Sequence, residues 1–206
     1  VMIVSGWNDL YVNALPALMD NIKGPCHAVC GPWAHHFPHL GTPGPSYDYL
    51  GASLAWWNQW LGKNEISPHL EKTHLTFIKD SAEPNPFDLS VAGRWIEGKT
   101  WPPSTEIKHK YLSEAGLTDK VVTPSPIQIH SPVETGVEAG EWIPHCSGSE
   151  IPGCQKSIDA QSTCFDSDIL EKHLDVFGRP ELTISLQSNA PTGNLIVRLC
   201  DVSPSG

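Results

Sequence analysis

The sequence predicts an α/β segment followed by an all-β segment, because the pattern of apolar residues changes at about residue 70. Before that point, short and continuously apolar runs alternate with helical periodicity, which is typical of parallel strands covered by helices. After it, prolines and glycines separate short runs of alternating apolar and polar residues, which is typical of an antiparallel sandwich or barrel. We therefore expect two domains, residues 1–70 and residues 71–206.

A strand–helix–strand unit is predicted at the start of the chain. The apolar runs Met2–Ser5 and Cys26–Cys30 have the composition of buried parallel strands. Helical spacing predicts a helix over residues 12–23, with Asn13 as its N-cap and Gly24 just after its end. Its apolar positions are Tyr11, Leu15, Leu18, Met19 and Ile22.

A second helix is predicted over Ser46–Leu61, capped by Ser46 and ended by Gly62. Its apolar stripe and its tryptophans are expected to pack against the sheet. The stripe consists of Leu50, Leu54, Trp57 and Leu61, and the tryptophans are Trp56, Trp57 and Trp60. In the second domain the predicted strands are Leu75–Lys79, Ile107–Leu112, Ile127–His130, Leu182–Leu186 and Leu195–Leu199.

The net charge and the absence of long apolar runs exclude two classes of partner. The 206 residues carry a formal net charge of −10, whereas nucleic-acid binding needs a basic surface. The sequence has no basic amphipathic stretch and no apolar run of the roughly 18 residues that a spanning helix needs. We therefore expect neither a nucleic-acid nor a membrane partner. Because the chain opens with Val1 in the middle of a strand, we expect it to be part of a longer protein.

The six cysteines fit no CxxC spacing of a zinc or redox site. Cys26 and Cys30 lie on one predicted strand, too far apart to bond easily, and are expected to be buried free thiols. A Cys146–Cys154 disulfide across the Gly- and Pro-rich residues 132–153 is the alternative that stays open.

Polar residues follow the two predicted strands of the first domain. Asp9 follows the first apolar run, and His35 follows the second. Since the carboxyl ends of parallel strands lie at one edge of a sheet, the two side chains could meet within roughly 3 Å. An imidazole oriented by a carboxylate is what a serine nucleophile needs as its base. Asp before His is also the order in which α/β-hydrolases supply these residues, although the sequence contains no Gly-x-Ser-x-Gly.

Two other interpretations of these residues stay open. Asp9 could be only a helix cap, and His35 could be only a packed side chain. Alternatively, the histidines at 27, 35, 36 and 39 could bind zinc or iron together with Asp9. Pro38 speaks against the metal site, because it breaks any helix that would bring His35 and His39 to one face. We therefore predict no metal and no other cofactor.

The motifs around this pair resemble those of a known group of hydrolases. Gly6–Asp9 is similar to the Gly-Trp-x-Asp segment, and Gly31–His35 to the Gly-Pro-Trp-x-His segment, of the cocaine esterase and Xaa-Pro dipeptidyl-peptidase-like hydrolases (the CocE/NonD group). The resemblance continues to the other end of the chain. The other segments that resemble this group are Trp57–Gly62, Gly93–Trp95 followed by Trp101–Pro103, and Asp201–Gly206.

The resemblance implies a serine hydrolase that cleaves ester or amide bonds of a small-molecule ester, acyl or peptide substrate, with Xaa-Pro dipeptides among the candidates. It implies that Asp9 and His35 are triad members, and that the serine and the oxyanion hole lie outside these 206 residues, which alone should be inactive. The fold that it implies is the C-terminal part of an α/β-hydrolase domain followed by an incomplete jelly-roll sandwich. The alternative function is a non-catalytic jelly-roll binding or interaction module.

Overall fold

The computed structural model describes residues 1–62, 74–101, 106–140 and 151–203. Its strands are β1 (Met2–Gly6), β2 (His27–Gly31), β3 (His74–Lys79), β4 (Gly93–Gly98), β5 (Tyr111–Ser113) and β6 (Gly116–Thr118). Its helices are α1 (Ala14–Asn21), α2 (Tyr49–Leu61) and the single turn α3 (Lys156–Asp159), with a short 3-10 helix at Pro38–Leu40. No helix in these ranges is long and apolar enough to cross a membrane.

Four strands form one sheet in the order β1-β2-β3-β4. The first three are parallel, and β4 runs antiparallel to β3. All five residues of β2 are buried, as expected for a parallel strand with a neighbour on each side. A cluster of Ile3, Leu15, Ala28 and Cys30 joins β1, α1 and β2. The sheet continues past residue 70, since β3 and β4 both follow the predicted domain boundary.

The strand–helix–strand unit forms as predicted, with shifts of one or two residues at its ends. Helix α1 is shorter than residues 12–23, and Asn13 occupies the N-cap position without a hydrogen bond from its side chain. The prediction of Ser46 as the cap of the second helix is wrong. Asp48 caps α2 instead, because its Oδ1 accepts a hydrogen bond from the Gly51 amide at 2.9 Å.

The buried face of α2 also differs from the prediction. The expected stripe is exposed. Leu54 has a relative exposure of 63 % and Trp57 of 57 %, whereas Ala52 and Trp56 are buried. The helix contains no charged residue between Tyr49 and Leu61, so that apolar side chains occur on more than one face. Periodicity therefore does not determine which face packs inward.

The predicted strands of the second domain are confirmed only in part. Leu75–Lys79 lies within β3, and Ile107–Leu112 overlaps the hairpin of β5 and β6 at one end. Gly116 begins β6 directly after the turn of this hairpin, and its φ of 116° favours glycine. Residues 127–130, 182–186 and 195–199 form no strand, because alternation produces a strand only where a second backbone completes the hydrogen bonds. The described residues thus show a small β-rich fold with few helices, and the jelly roll stays a prediction.

Cys26 and Cys30 are free thiols, as predicted. Cys30 is buried in β2, and this burial raises the pKa of its thiol, as does the nearby Asp9 carboxylate to a smaller degree. Cys26 is half-buried, with its Sγ 3.4 Å from Met19 Sδ. The alternative Cys146–Cys154 disulfide includes Cys146, which lies outside the described residues.

Candidate active site

The side chains of Asp9 and His35 meet at the carboxyl edge of the sheet. The parallel register pairs Gly6 at the end of β1 with Gly31 at the end of β2, so that both following loops leave the sheet side by side. His35 Nδ1 lies 3.0 Å from Asp9 Oδ2. Because an ionised carboxylate can only accept, Nδ1 is the donor of this hydrogen bond. The expected contact between the two residues is therefore present.

Backbone and side-chain hydrogen bonds join the two loops to each other. The Trp7 amide donates to Gly31 O at 2.9 Å, and the Asn8 amide donates to Trp33 O at 3.2 Å. The Asn8 side-chain amide donates to Pro32 O at 2.7 Å. These bonds fix the loop that carries Asp9 against the loop that carries His35. The distance between the two side chains is therefore determined by the backbone at this edge of the sheet.

The glycines of both motifs make room for one tryptophan. The Trp33 side chain is buried, at 1 % exposure. A Cβ at Gly6 would collide with the Trp33 carbonyl, and one at Gly31 or Gly41 would collide with its indole ring. The motif glycines therefore permit an indole to fill the space between the two strand ends, two residues before His35.

The Asp9 carboxylate is held by both of its oxygens. Oδ2 accepts from His35, and Oδ1 accepts from the Tyr11 amide at 2.7 Å. The Asp9 amide in turn donates to Gly6 O at 3.1 Å, which closes a turn at the end of β1. The side chain of Asp9 is 14 % exposed and that of His35 is 47 % exposed. The pair thus has a shielded carboxylate and an imidazole that reaches the surface.

This arrangement suits an imidazole that exchanges a proton at Nε2. With Nδ1 donating to Asp9, Nε2 carries the lone pair of the neutral ring. The carboxylate then stabilises the imidazolium that forms when Nε2 accepts a proton. Such a pair can act as a general base and afterwards return the proton as a general acid.

His39 and His27, which belong to the alternative metal cluster, have other surroundings. His39 is in the 3-10 helix, with its ring stacked on Tyr49 at 6.3 Å. His27 is buried in β2. Within residues 1–62, 74–101, 106–140 and 151–203, no group of three or more His, Cys, Asp or Glu side chains is arranged to hold a metal ion.

One residue at the site was not singled out by the sequence for a functional role. Tyr11 is one of the apolar positions predicted for the first helix, but it precedes α1 and its ring contacts His35. The sequence does contain one indication of a contact with Asp9. Tyr11 follows Asp9 by two residues, and an aspartate often accepts a hydrogen bond from the backbone amide two residues later.

A C-terminal segment reaches the loop that carries Asp9. The Phe177 ring contacts Trp7 edge-on at 6.3 Å between centroids. Two residues earlier, the Asp175 carboxylate binds Arg94 of β4 and lies 2.8 Å from His173 Nε2. The hydrogen bonds from His173 and from Arg94 lower the pKa of Asp175. This segment therefore connects the later part of the chain to the sheet that bears the site.

Comparison with known families identifies part of the chain. The family model of the X-Pro dipeptidyl-peptidase C-terminal non-catalytic domain matches residues 67–206. The matched residues begin after both Asp9 and His35. Comparisons with curated proteins and with solved structures give no match.

Proposed function

This chain belongs to the family of the X-Pro dipeptidyl-peptidase C-terminal domain, and we propose on that basis that it is the C-terminal portion of a serine hydrolase. In this proposal the enzyme cleaves ester or amide bonds, with Xaa-Pro dipeptidyl substrates as the first candidates. Residues 1–70 complete an α/β-hydrolase catalytic domain of the CocE/NonD type, and residues 71–206 form most of a jelly roll. The parallel β1-α1-β2 unit supports the α/β part of this proposal, although β3 and β4 join the same sheet from beyond residue 70.

The observation that carries the proposal is the 3.0 Å contact between Asp9 and His35 at the carboxyl edge of a parallel sheet. His35 would take the proton of a serine hydroxyl at Nε2 while the serine oxygen attacks the substrate carbonyl. It would then give that proton to the leaving amine or alcohol, and water would cleave the acyl-enzyme by the same route. The serine belongs to residues outside these 206, which contain no Gly-x-Ser-x-Gly.

Substitutions in the longer polypeptide that contains this chain test the proposal. We expect His35→Ala and Asp9→Asn each to lower kcat by about 10⁴-fold, since triad substitutions act on this scale. Hydrolysis of alanyl-prolyl-p-nitroanilide and p-nitrophenyl butyrate measures the loss and separates amide from ester substrates. His36→Ala is the matched control and should keep full activity. Full activity in His35→Ala would contradict the proposal.

A binding module is the second candidate, because the matched family is described as non-catalytic and covers residues 67–206. The sequence upstream of Val1 separates the two candidates. A Gly-x-Ser-x-Gly on a strand–turn–helix about 100–150 residues before Val1, the size of a typical domain, favours the hydrolase. A complete reading frame without such a motif, and a full-length protein that hydrolyses neither test substrate, favour the module.

A further inference from the structure

Tyr11 touches both members of the Asp9–His35 pair. Its backbone amide donates to Asp9 Oδ1 at 2.7 Å. Its ring lies edge-on to the His35 imidazole, with 5.7 Å between the centroids and 65° between the planes. The three residues thus form a closed set of contacts in which Tyr11 holds the carboxylate by its backbone and the imidazole by its side chain.

The backbone around Tyr11 is itself fixed by the chain on both sides. The Tyr11 carbonyl accepts from the Ala14 amide at 2.8 Å, at the start of α1. The Val12 amide donates to Asp9 O at 3.1 Å. The ring is 62 % exposed, so it adds little to the core. Its contact with His35 is therefore the main structural consequence of having an aromatic side chain at this position.

A hydrogen bond at one ring nitrogen does not by itself fix the plane of an imidazole. The His35 side chain is 47 % exposed, so that water can replace Asp9 as the hydrogen-bond partner of Nδ1. Without that hydrogen bond, the Nδ1–H tautomer is no longer selected. An edge-on aromatic contact restricts the plane of the imidazole ring. Edge-to-face pairs contribute about 0.5–1.5 kcal/mol, which corresponds to about a 2- to 10-fold change in an equilibrium or a rate.

We propose that Tyr11 is a positioning residue that holds His35 in the orientation and the Nδ1–H tautomer that general-base catalysis needs. This role rests on the proposed hydrolase function. It depends on the aromatic ring and not on the hydroxyl, so phenylalanine should replace tyrosine and alanine should not.

The tautomer of His35 can be measured on the 206-residue chain itself by nitrogen-15 NMR of its imidazole. We expect the native chain to show Nδ1–H and Tyr11→Phe to keep it. Tyr11→Ala should show a mixture of tautomers, with the fraction of the second tautomer raised about 2- to 10-fold. Asp9→Asn should invert the tautomer, since a side-chain amide donates to Nδ1, and serves as the positive control. Circular dichroism checks that each variant folds.

Kinetics in the longer polypeptide separate this inference from the proposed function. Tyr11→Ala should lower kcat about 2- to 10-fold with KM unchanged, and Tyr11→Phe should restore kcat. If Tyr11→Ala changes neither the tautomer nor kcat while His35→Ala abolishes activity, the role of Tyr11 is refuted and the hydrolase stands. If the NMR pattern appears but the longer polypeptide hydrolyses neither substrate, the hydrolase is refuted and Tyr11 still orients His35.

Discussion

His74 is a fully buried histidine whose surroundings disfavour a positive charge. It starts β3, where its Nδ1 lies 3.1 Å from Thr76 Oγ1. Its ring contacts Trp101 at 5.4 Å and Phe177 at 5.9 Å between centroids. Burial first, and then the nearby His27 imidazole, lower the pKa of His74 below its ordinary value of 6.5.

The lowered pKa of His74 predicts that acid destabilises the folded chain. Below about pH 6.5 the unfolded state binds a proton at this residue that the folded state binds less readily. The free energy of unfolding therefore falls as the pH drops through this range, and the loss stops below the folded-state pKa. Urea denaturation between pH 7.5 and 5 measures this dependence.

Two variants assign the effect to this residue. His74→Phe keeps an aromatic ring beside Trp101 and should flatten the fall in unfolding free energy below pH 6.5, whatever it does to stability at neutral pH. His130→Phe, at an exposed position, should leave the slope unchanged. An unaltered slope in His74→Phe would show that other groups cause the acid sensitivity.

At the scale of elements, the packing of Trp33 against the strand ends predicts the cost of a small substitution. Gly31 ends β2, and an added Cβ there would collide with the buried Trp33 indole. We expect Gly31→Ala to lower the free energy of unfolding by about 1–3 kcal/mol, the usual cost of overpacking. Because Trp33 precedes His35 by two residues, the NMR signals of His35 should shift as well.

Gly24→Ala is the matched control for this substitution. Gly24 follows α1, and an added Cβ there has no atom within 4 Å. Its unfolding free energy should stay unchanged or rise by up to about 1 kcal/mol, because alanine reduces the entropy of the unfolded chain. Equal losses in both variants would show that the Trp33 contact does not determine the cost.

How far the sequence predicts this fold depends on how local each signal is. The apolar runs of β1 and β2 and their terminal Asp9 and His35 are local patterns, and the structure places them as expected. The face of α2 could not be predicted, because Leu54 and Trp56 are both apolar and only their neighbours decide which is buried. The ring contact between Tyr11 and His35 could not be predicted either, because it joins residues that lie 24 positions apart in the sequence.

For the whole molecule, the distribution of apolar surface matters more than the net charge. A charge of −10 opposes non-specific aggregation. Yet α2 exposes a continuous apolar face, with Leu50 at 60 % and Leu61 at 78 % exposure in addition to Leu54 and Trp57. Exposed apolar residues that are grouped on one helix face in this way favour association.

We therefore expect the 206-residue chain to self-associate through α2 in dilute buffer. Leu54→Gln combined with Trp57→Gln removes apolar area from this face without adding charge, and should shift the chain towards the monomer in size-exclusion chromatography with light scattering. Asn58→Gln, at an exposed position of the same helix, keeps the apolar residues and should associate like the native chain. A native chain that is monomeric at tens of micromolar, or a double variant that associates unchanged, would contradict this role of α2. A shift confined to the double variant would identify the exposed helix face as the contact.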